Sequence, residues 1–277
     1  MNRFIDHFLF RPTYLNKKKL ILQLDGKSIL ITGASSGIGE QLAYELADIR
    51  CHLILVARRG EKLEEIKRDI ELKSATVSIF QADLRVEEEM EQFLRFLHSL
   101  PDGLDVVVNN AGLSIKRSIF QSLDRMHDFT RTMAINYYAP VRILLSTIPL
   151  LQKNQGHIIN VSTINTVLAP VPYFAAYQAS KTAFDVWLRS IDPELRNKGI
   201  STTSIYLPLV KTPMIQPTAA YQNAPALSSK FAARIICKSL YTKKKKIQPW
   251  WLMFGQMISI FKRSFWDFTK SSDKRGL

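Results

Sequence analysis

The chain has 277 residues, 46% of them hydrophobic and 22% charged, a balance that excludes a mainly disordered chain and leaves ample length for a full core. Two cysteines, Cys51 and Cys237, exclude a disulfide framework and a cysteine-rich zinc site, and they fit a reducing compartment. The formal charge is +14, yet residues 27–229 are close to neutral, with net +3 on residues 1–26 and net +10 on residues 230–277. Basic ends on a neutral body point to an anionic surface such as a membrane, rather than to a nucleic-acid site.

The first segment places Phe4, Ile5, Phe8, Leu9 and Phe10 ahead of Lys17, Lys18 and Lys19. It lacks the long apolar stretch and the small-residue cleavage site of a signal peptide. Short apolar runs at 28–32, 52–57, 76–81, 105–109, 157–162 and 201–207 then predict strands buried on both faces. Helical spacing fills the intervals at 37–49, 61–72, 87–100, 124–151 and 173–196. Alternation about every 25 residues predicts an α/β fold with a doubly wound parallel sheet. The expected organisation is one domain over 25–240, with a basic, aromatic segment at 1–24 and a basic amphipathic segment at 241–277.

In that last segment, lysines at 243–246 precede apolar residues at 250, 254, 257, 258, 261, 265 and 268, a helical stripe. Lys262 and Arg263 cut the run short of a membrane span. It suits a helix lying in the interface, or else a contact with the domain or a second subunit.

The chemistry begins at Gly33-Ala34-Ser35-Ser36-Gly37-Ile38-Gly39, between the first strand and its helix. Glycines let the backbone approach a pyrophosphate, and the helix start offers free N–H groups and a positive dipole end. Arg58 and Arg59 close the second strand with no acid beside them, which suits a ribose 2′-phosphate better than a 2′-hydroxyl. Tyr177 and Lys181, four apart in a helical pattern, share a face. An ammonium beside a phenol is expected to lower the phenol pKa, making a proton donor usable near neutrality.

Together with Asn109-Asn110-Ala111-Gly112, Asn136 and Ser162-Thr163 in order, these motifs resemble the short-chain dehydrogenase/reductase family over roughly 25–240. The resemblance implies a Rossmann-type fold and hydride transfer with NADP(H). It implies Tyr177 as general acid, Lys181 as ribose holder and tuner of Tyr177, and Asn136 as the anchor of a relay water. Asp83 and Leu84 are implied at the adenine. Gly33, Ser35, Ser36, Gly37, Ile38, Gly39, Asn110, Ala111 and Gly112 are implied along the cofactor, with Val210 and Thr212 at its nicotinamide side. No metal is implied. The family's serine position, 13 before the tyrosine, is Ile164 here, so Thr163 takes the role if the loop is one residue longer, with Ser162 as the alternative. Leu209 replaces the usual glycine after Pro208.

The wording at 114–118, 124–129 and 204–214 is similar to bacterial NADPH-dependent fatty acyl-CoA reductases of that family. His127, within this stretch, reads as a helix-surface residue. The expected function is NADPH-dependent reduction of a carbonyl on an apolar, long-chain substrate. The expected place is cytoplasmic, peripheral on the inner face of a membrane, in a homo-oligomer. The alternatives are a soluble ketone or 3-oxoacyl reductase using the C-terminal helix as an oligomer contact, and a non-catalytic cofactor-binding scaffold.

Overall fold

The computed structural model describes residues 3–10, 14–216, 221 and 224–259. Two short helices come first, α1 (Arg3–Leu9) and α2 (Lys17–Leu24). The body alternates β1 (Ser28–Thr32), α3 (Gly37–Leu46), β2 (His52–Ala57), α4 (Gly60–Glu71), β3 (Thr76–Gln81), α5 (Glu87–His98) and β4 (Val106–Asn109). It continues with α6 (Met126–Met133), α7 (Ala139–Lys153), β5 (His157–Thr163), α8 (Ala175–Asn197) and β6 (Ser201–Leu207). A two-stranded side sheet pairs β7 (Val210–Lys211) with β8 (Leu227–Ser228), ahead of α9 (Ser229–Thr242) and β9 (Lys246–Ile247). Residues 252–259 form a last helix, α10.

The main sheet is parallel throughout, in the order β3-β2-β1-β4-β5-β6-β9. Strand alternation divides the core between its faces. In β1, Ile29 and Ile31 meet α2, α3, α4 and α9, while Leu30 faces α5, α7 and α8. Both faces are covered, which is why these strands read as unbroken apolar runs. The strand order reverses between β1 and β4, which opens a crevice at their C-terminal ends.

The six expected strands and the doubly wound sheet are present. Two features differ from the sequence reading. The helix expected over 124–151 is interrupted by a π-helical turn at Ala134–Tyr138, an insertion that apolar periodicity does not reveal. A seventh strand, β9, comes from the C-terminal segment and pairs Lys246 with Ser204 and Ile247 with Ile205. The stripe beyond it faces outward as far as it is described, with Trp250, Phe254, Met257 and Ile258 exposed, while Leu252, outside the stripe, is fully buried. Phe261, Lys262, Arg263, Phe265 and Phe268 lie outside the described residues.

The ends meet. The Trp251 indole N–H donates to the Leu9 carbonyl at 3.0 Å, and the Asp6 carboxylate accepts from Ser228 N and Oγ at 2.8 and 2.9 Å. Among the described residues, no helix is long and apolar enough to cross a membrane. Cys51 and Cys237 are both free and buried, and burial pushes the Cys51 thiol up to about 12.

Candidate active site

The glycine-rich turn leaves β1 at Gly33 and enters α3 at Gly37, with φ of +67° and +63°, a region costly for any residue with a Cβ. Space is as tight as conformation. A Cβ on Gly33 would come 2.9 Å from the Ala111 Cα, one on Gly37 3.0 Å from the Thr212 Cγ2, and one on Gly39 2.6 Å from the Gly33 carbonyl. Ser36 caps α3 in an extended conformation with no side-chain hydrogen bond, so the first-turn N–H groups keep their capacity for an anion.

Thr32 ties this turn to β4. Its Oγ1 donates to Val108 O at 3.3 Å and accepts from Asn110 N and Ala111 N at 3.0 and 2.9 Å. The Asn110 amide returns to the Thr32 carbonyl at 2.9 Å. Asn109 is buried beside them, and among the described residues neither end of its carboxamide has a partner. A crowded glycine cradle at a helix start, with an orphaned amide at the adjoining strand end, fits a phosphate-bearing dinucleotide.

At the adenosine end, the expected residues are partly engaged with one another. Arg59 donates to Ser35 O at 2.9 Å and to Ser35 Oγ at 3.1 and 3.2 Å. Arg58 is exposed and makes no hydrogen bond to the described residues. Asp83 is held by Arg85, whose Nε lies 2.9 Å from Oδ1, and this pairing keeps the carboxyl below its ordinary value. Leu84 is buried against the sheet. Val210 sits in the side sheet, and Thr212 faces Gly37 across the crevice.

At the other end, β5, the π turn and α8 converge. Asn136 sits in the π turn, and such turns collect at functional sites. Its Nδ2 donates to Leu113 O and Ser180 Oγ, both at 2.9 Å, and its Oδ1 accepts from Leu113 N at 2.9 Å. These contacts fix the Asn136 side chain between Leu113 and α8. A Cβ on Gly112 would lie 3.0 Å from the Asn136 Oδ1 and 3.4 Å from the Lys181 Nζ, which places the three together. Lys181 donates to Val161 O at 3.2 Å.

Tyr177 is half-buried, and its phenol lies near the Thr163 hydroxyl. Ser162 instead faces Thr166, 3.4 Å from its Oγ1. Of the two candidate hydroxyls, Thr163 is the one near the phenol. The expected lowering of Tyr177 is not what the structure gives. Burial disfavours the phenolate and pushes Tyr177 up to about 12. Burial likewise brings Lys181 down to about 8.

Sequence reasoning missed the surroundings. Phe174 packs edge-on to Tyr177 at 6.4 Å, and Tyr221 stacks on Phe174 at 6.1 Å. Tyr173 adopts φ +71°, rare for an aromatic residue and a mark of local strain. A cavity of about 390 Å³ opens beside this segment, walled by Ile115, Phe120, Phe129, Pro172 and Tyr173, with Arg117 at its edge. The signal for the aromatic wall was present in the cluster Pro172-Tyr173-Phe174 just ahead of Tyr177. His127 is more than half exposed, as expected of a helix-surface residue.

The family model described as short chain dehydrogenase matches residues 27–223. The chain belongs to the short-chain dehydrogenase family. A fatty acyl-CoA reductase of Acinetobacter baylyi is 44% identical over 250 residues, covering 89% of this chain and 83% of that protein. A fatty acyl-CoA reductase of Mycobacterium tuberculosis is 38% identical over 229 residues, 82% of this chain and 78% of that protein. A solved short-chain dehydrogenase from Sphingobium yanoikuyae, in complex with NADPH, shares the fold with a TM-score of 0.74 at 20% identity, covering 91% of this chain and 98% of that one. As a short-chain dehydrogenase this chain is an oxidoreductase, and the scaffold reading is set aside.

Proposed function

We propose that this short-chain dehydrogenase uses NADPH to reduce the thioester carbonyl of a long-chain acyl-CoA to the aldehyde, releasing the thiol. The observation that carries the reading is the approach of Tyr177 to Thr163, one helical turn from Lys181, on the helix whose first residues, Ala175 and Ala176, line a largely apolar cavity. The names of the relatives at 44% and 38% identity support the substrate class.

The reduced nicotinamide, when bound, supplies a hydride to the carbonyl carbon. The chain's own residues do the rest. The Thr163 hydroxyl donates to the carbonyl oxygen, and Tyr177 delivers the proton that the oxygen takes up as the carbon is reduced. Loss of the thiol from the resulting hemithioacetal leaves the aldehyde. Lys181 holds the ribose and favours the phenolate that Tyr177 leaves behind, while Asn136 positions the floor between Gly112 and α8. Arg58 takes the 2′-phosphate, with Arg59 and Ser35 beside it.

The outward faces of α1 and α10 support an interfacial lodging on an anionic membrane. Phe8, Met253, Phe254, Met257 and Ile258 are all exposed, and lysines 17–19 and 243–245 lie in the same two terminal segments. α10 also touches the loop after β5: Ala169 N donates to Ser259 Oγ at 3.2 Å, and Gly255 packs on Leu168.

Cofactor oxidation measured with long-chain acyl-CoAs, fatty aldehydes and small ketones tests the substrate class. Turnover of acyl-CoA with NADPH supports the proposal. Turnover confined to small ketones overturns it in favour of a soluble reductase.

A further inference from the structure

A second charged cluster borders the cavity, away from the glycine-rich turn. Asp128, almost fully buried in the first turn of α6, is surrounded by arginines. Its Oδ2 lies 3.1 Å from Arg117 Nε and 3.0 Å from Arg125 Nε, and its Oδ1 lies 2.7 Å from Arg131 Nη2. Among the described residues, Asp128 is the only carboxylate within ion-pair reach of these arginines. One negative charge thus faces three guanidinium groups, each about a third exposed or more, leaving two positive charges uncompensated. Arg131 Nε is enclosed without a hydrogen-bond partner. A fourth cation, Lys116, stands 5.9 Å from the centre of the Tyr221 ring, and Tyr221 leads through Phe174 to Tyr177.

A structural ion pair needs one arginine for one carboxylate. Three of them, organised by a buried acid at the rim of an apolar cavity, form a preorganised anion receptor. Arg117 belongs to both parts. Its side chain lines the cavity, and its N–H donates to Tyr173 O at 2.8 Å, which joins the receptor to the segment leading into α8. The layout suits a ligand with an apolar part in the cavity and a highly charged head outside.

Resting on the function proposed above, we infer that Arg117, Arg125 and Arg131, with Lys116, hold the phosphates of the coenzyme A moiety while the acyl chain enters the cavity. Guanidinium groups match phosphate oxygens two at a time, and the phosphates of coenzyme A supply several negative charges. The receptor would then set affinity for the thioester and leave the chemistry at Tyr177 to other residues.

The test compares two thioesters of the same fatty acid, one on coenzyme A and one on pantetheine, which lacks every phosphate. NADPH is kept saturating. The wild-type protein is expected to show a KM about tenfold lower for the coenzyme A thioester, rising with salt as exposed charges are screened. Arg125→Gln combined with Arg131→Gln leaves Asp128 paired with Arg117. This variant is expected to raise the KM for the coenzyme A thioester about tenfold, with little change in kcat or in the KM for the pantetheine thioester. Arg125→Gln alone, checked by its melting temperature, covers the case in which the double variant fails to fold, and is expected to give a smaller rise in the same direction.

Equal KM values for the two thioesters in the wild type, or an equal loss on both in a folded variant, overturn the phosphate receptor while leaving acyl-CoA reduction intact. A clear preference for an acyl group on an acidic carrier protein over coenzyme A assigns the arginines to a protein surface and overturns it too. If neither thioester is reduced, the functional reading falls and the receptor falls with it.

Discussion

The phenol of Tyr177 and the ammonium of Lys181 are both displaced by burial, and in directions that matter for rate. Tyr177, at about 12, stays protonated through the neutral range, which is the form a proton donor needs. Lys181, at about 8, carries its charge below that value and loses it above. The reductive kcat/KM is therefore expected to be level from pH 6 to 7 and to fall as pH rises through about 8, a profile that steady-state rates at fixed NADPH will reveal. Tyr177→Phe should cost roughly 100- to 10,000-fold in turnover while NADPH binding, followed by fluorescence, persists. Because Thr163 lies near the phenol while Ser162 is turned to Thr166, Thr163→Ala should cost more than Ser162→Ala; the reverse order would assign the hydroxyl to Ser162. Arg58→Asp should remove a preference for NADPH over NADH of about tenfold or more, since a charge-assisted contact contributes about 1.5–3 kcal/mol. Equal efficiency with both cofactors in the wild type would refute the role of Arg58.

The elements show what periodicity can and cannot convey. Strands β1 and β2 announce themselves because both faces are buried, so their apolar runs are continuous. The π turn around Asn136 leaves no such trace, since one extra residue in a helix shifts the stripe without breaking it. β9 was hidden for another reason: two residues, one of them Lys246, do not make a run. Tyr177, Lys181 and Asn136 were legible as a motif in series, but the raised phenol depends on burial by Phe174 and Tyr221, and that comes from tertiary packing. Gly33→Ala should be more damaging than Gly37→Ala, because the new methyl meets the backbone of Ala111 rather than the side chain of Thr212; each also carries the roughly 1–2 kcal/mol cost of a left-handed backbone. Thermal melting and NADPH titration of the two variants will rank them. Within β5, His157 bonds to Thr203 Oγ1 at 2.8 Å and is brought down to about 3, chiefly by burial. The unfolded chain protonates this group first as pH falls, so its contribution to stability is complete above about 6.5 and is lost progressively towards 3. Urea midpoints at pH 7 and 5 should differ less in His157→Gln than in the wild type.

At the scale of the molecule, the described parts of the two terminal segments are tied to one another and to the body through Trp251 and Asp6. Removing residues from 247 onward is then a poor test of membrane contact, because it takes away Ile247 of the sheet and the buried Leu252, and losing a buried leucine costs about 2–5 kcal/mol. Substituting the outward face is cleaner. Phe254→Glu with Met257→Glu should abolish sedimentation with anionic vesicles while leaving the melting temperature close to that of the wild type. Wild-type binding should weaken in high salt without vanishing, as the lysines are screened and the apolar rings are not. If the wild type ignores vesicles and the substitutions instead dissociate a dimer, the face is a subunit contact. The brevity of β9 also bears on self-assembly. An open sheet can extend from one copy of a chain to another only where its last strand offers a long unpaired ladder. Here that border is two residues long and bears the amphipathic Lys246, whose ammonium lies 5.1 Å from the centre of the Tyr206 ring. A sheet continued from one copy to another through this border would have only two residues to pair, so any contact between copies on that side would fall to helix surfaces.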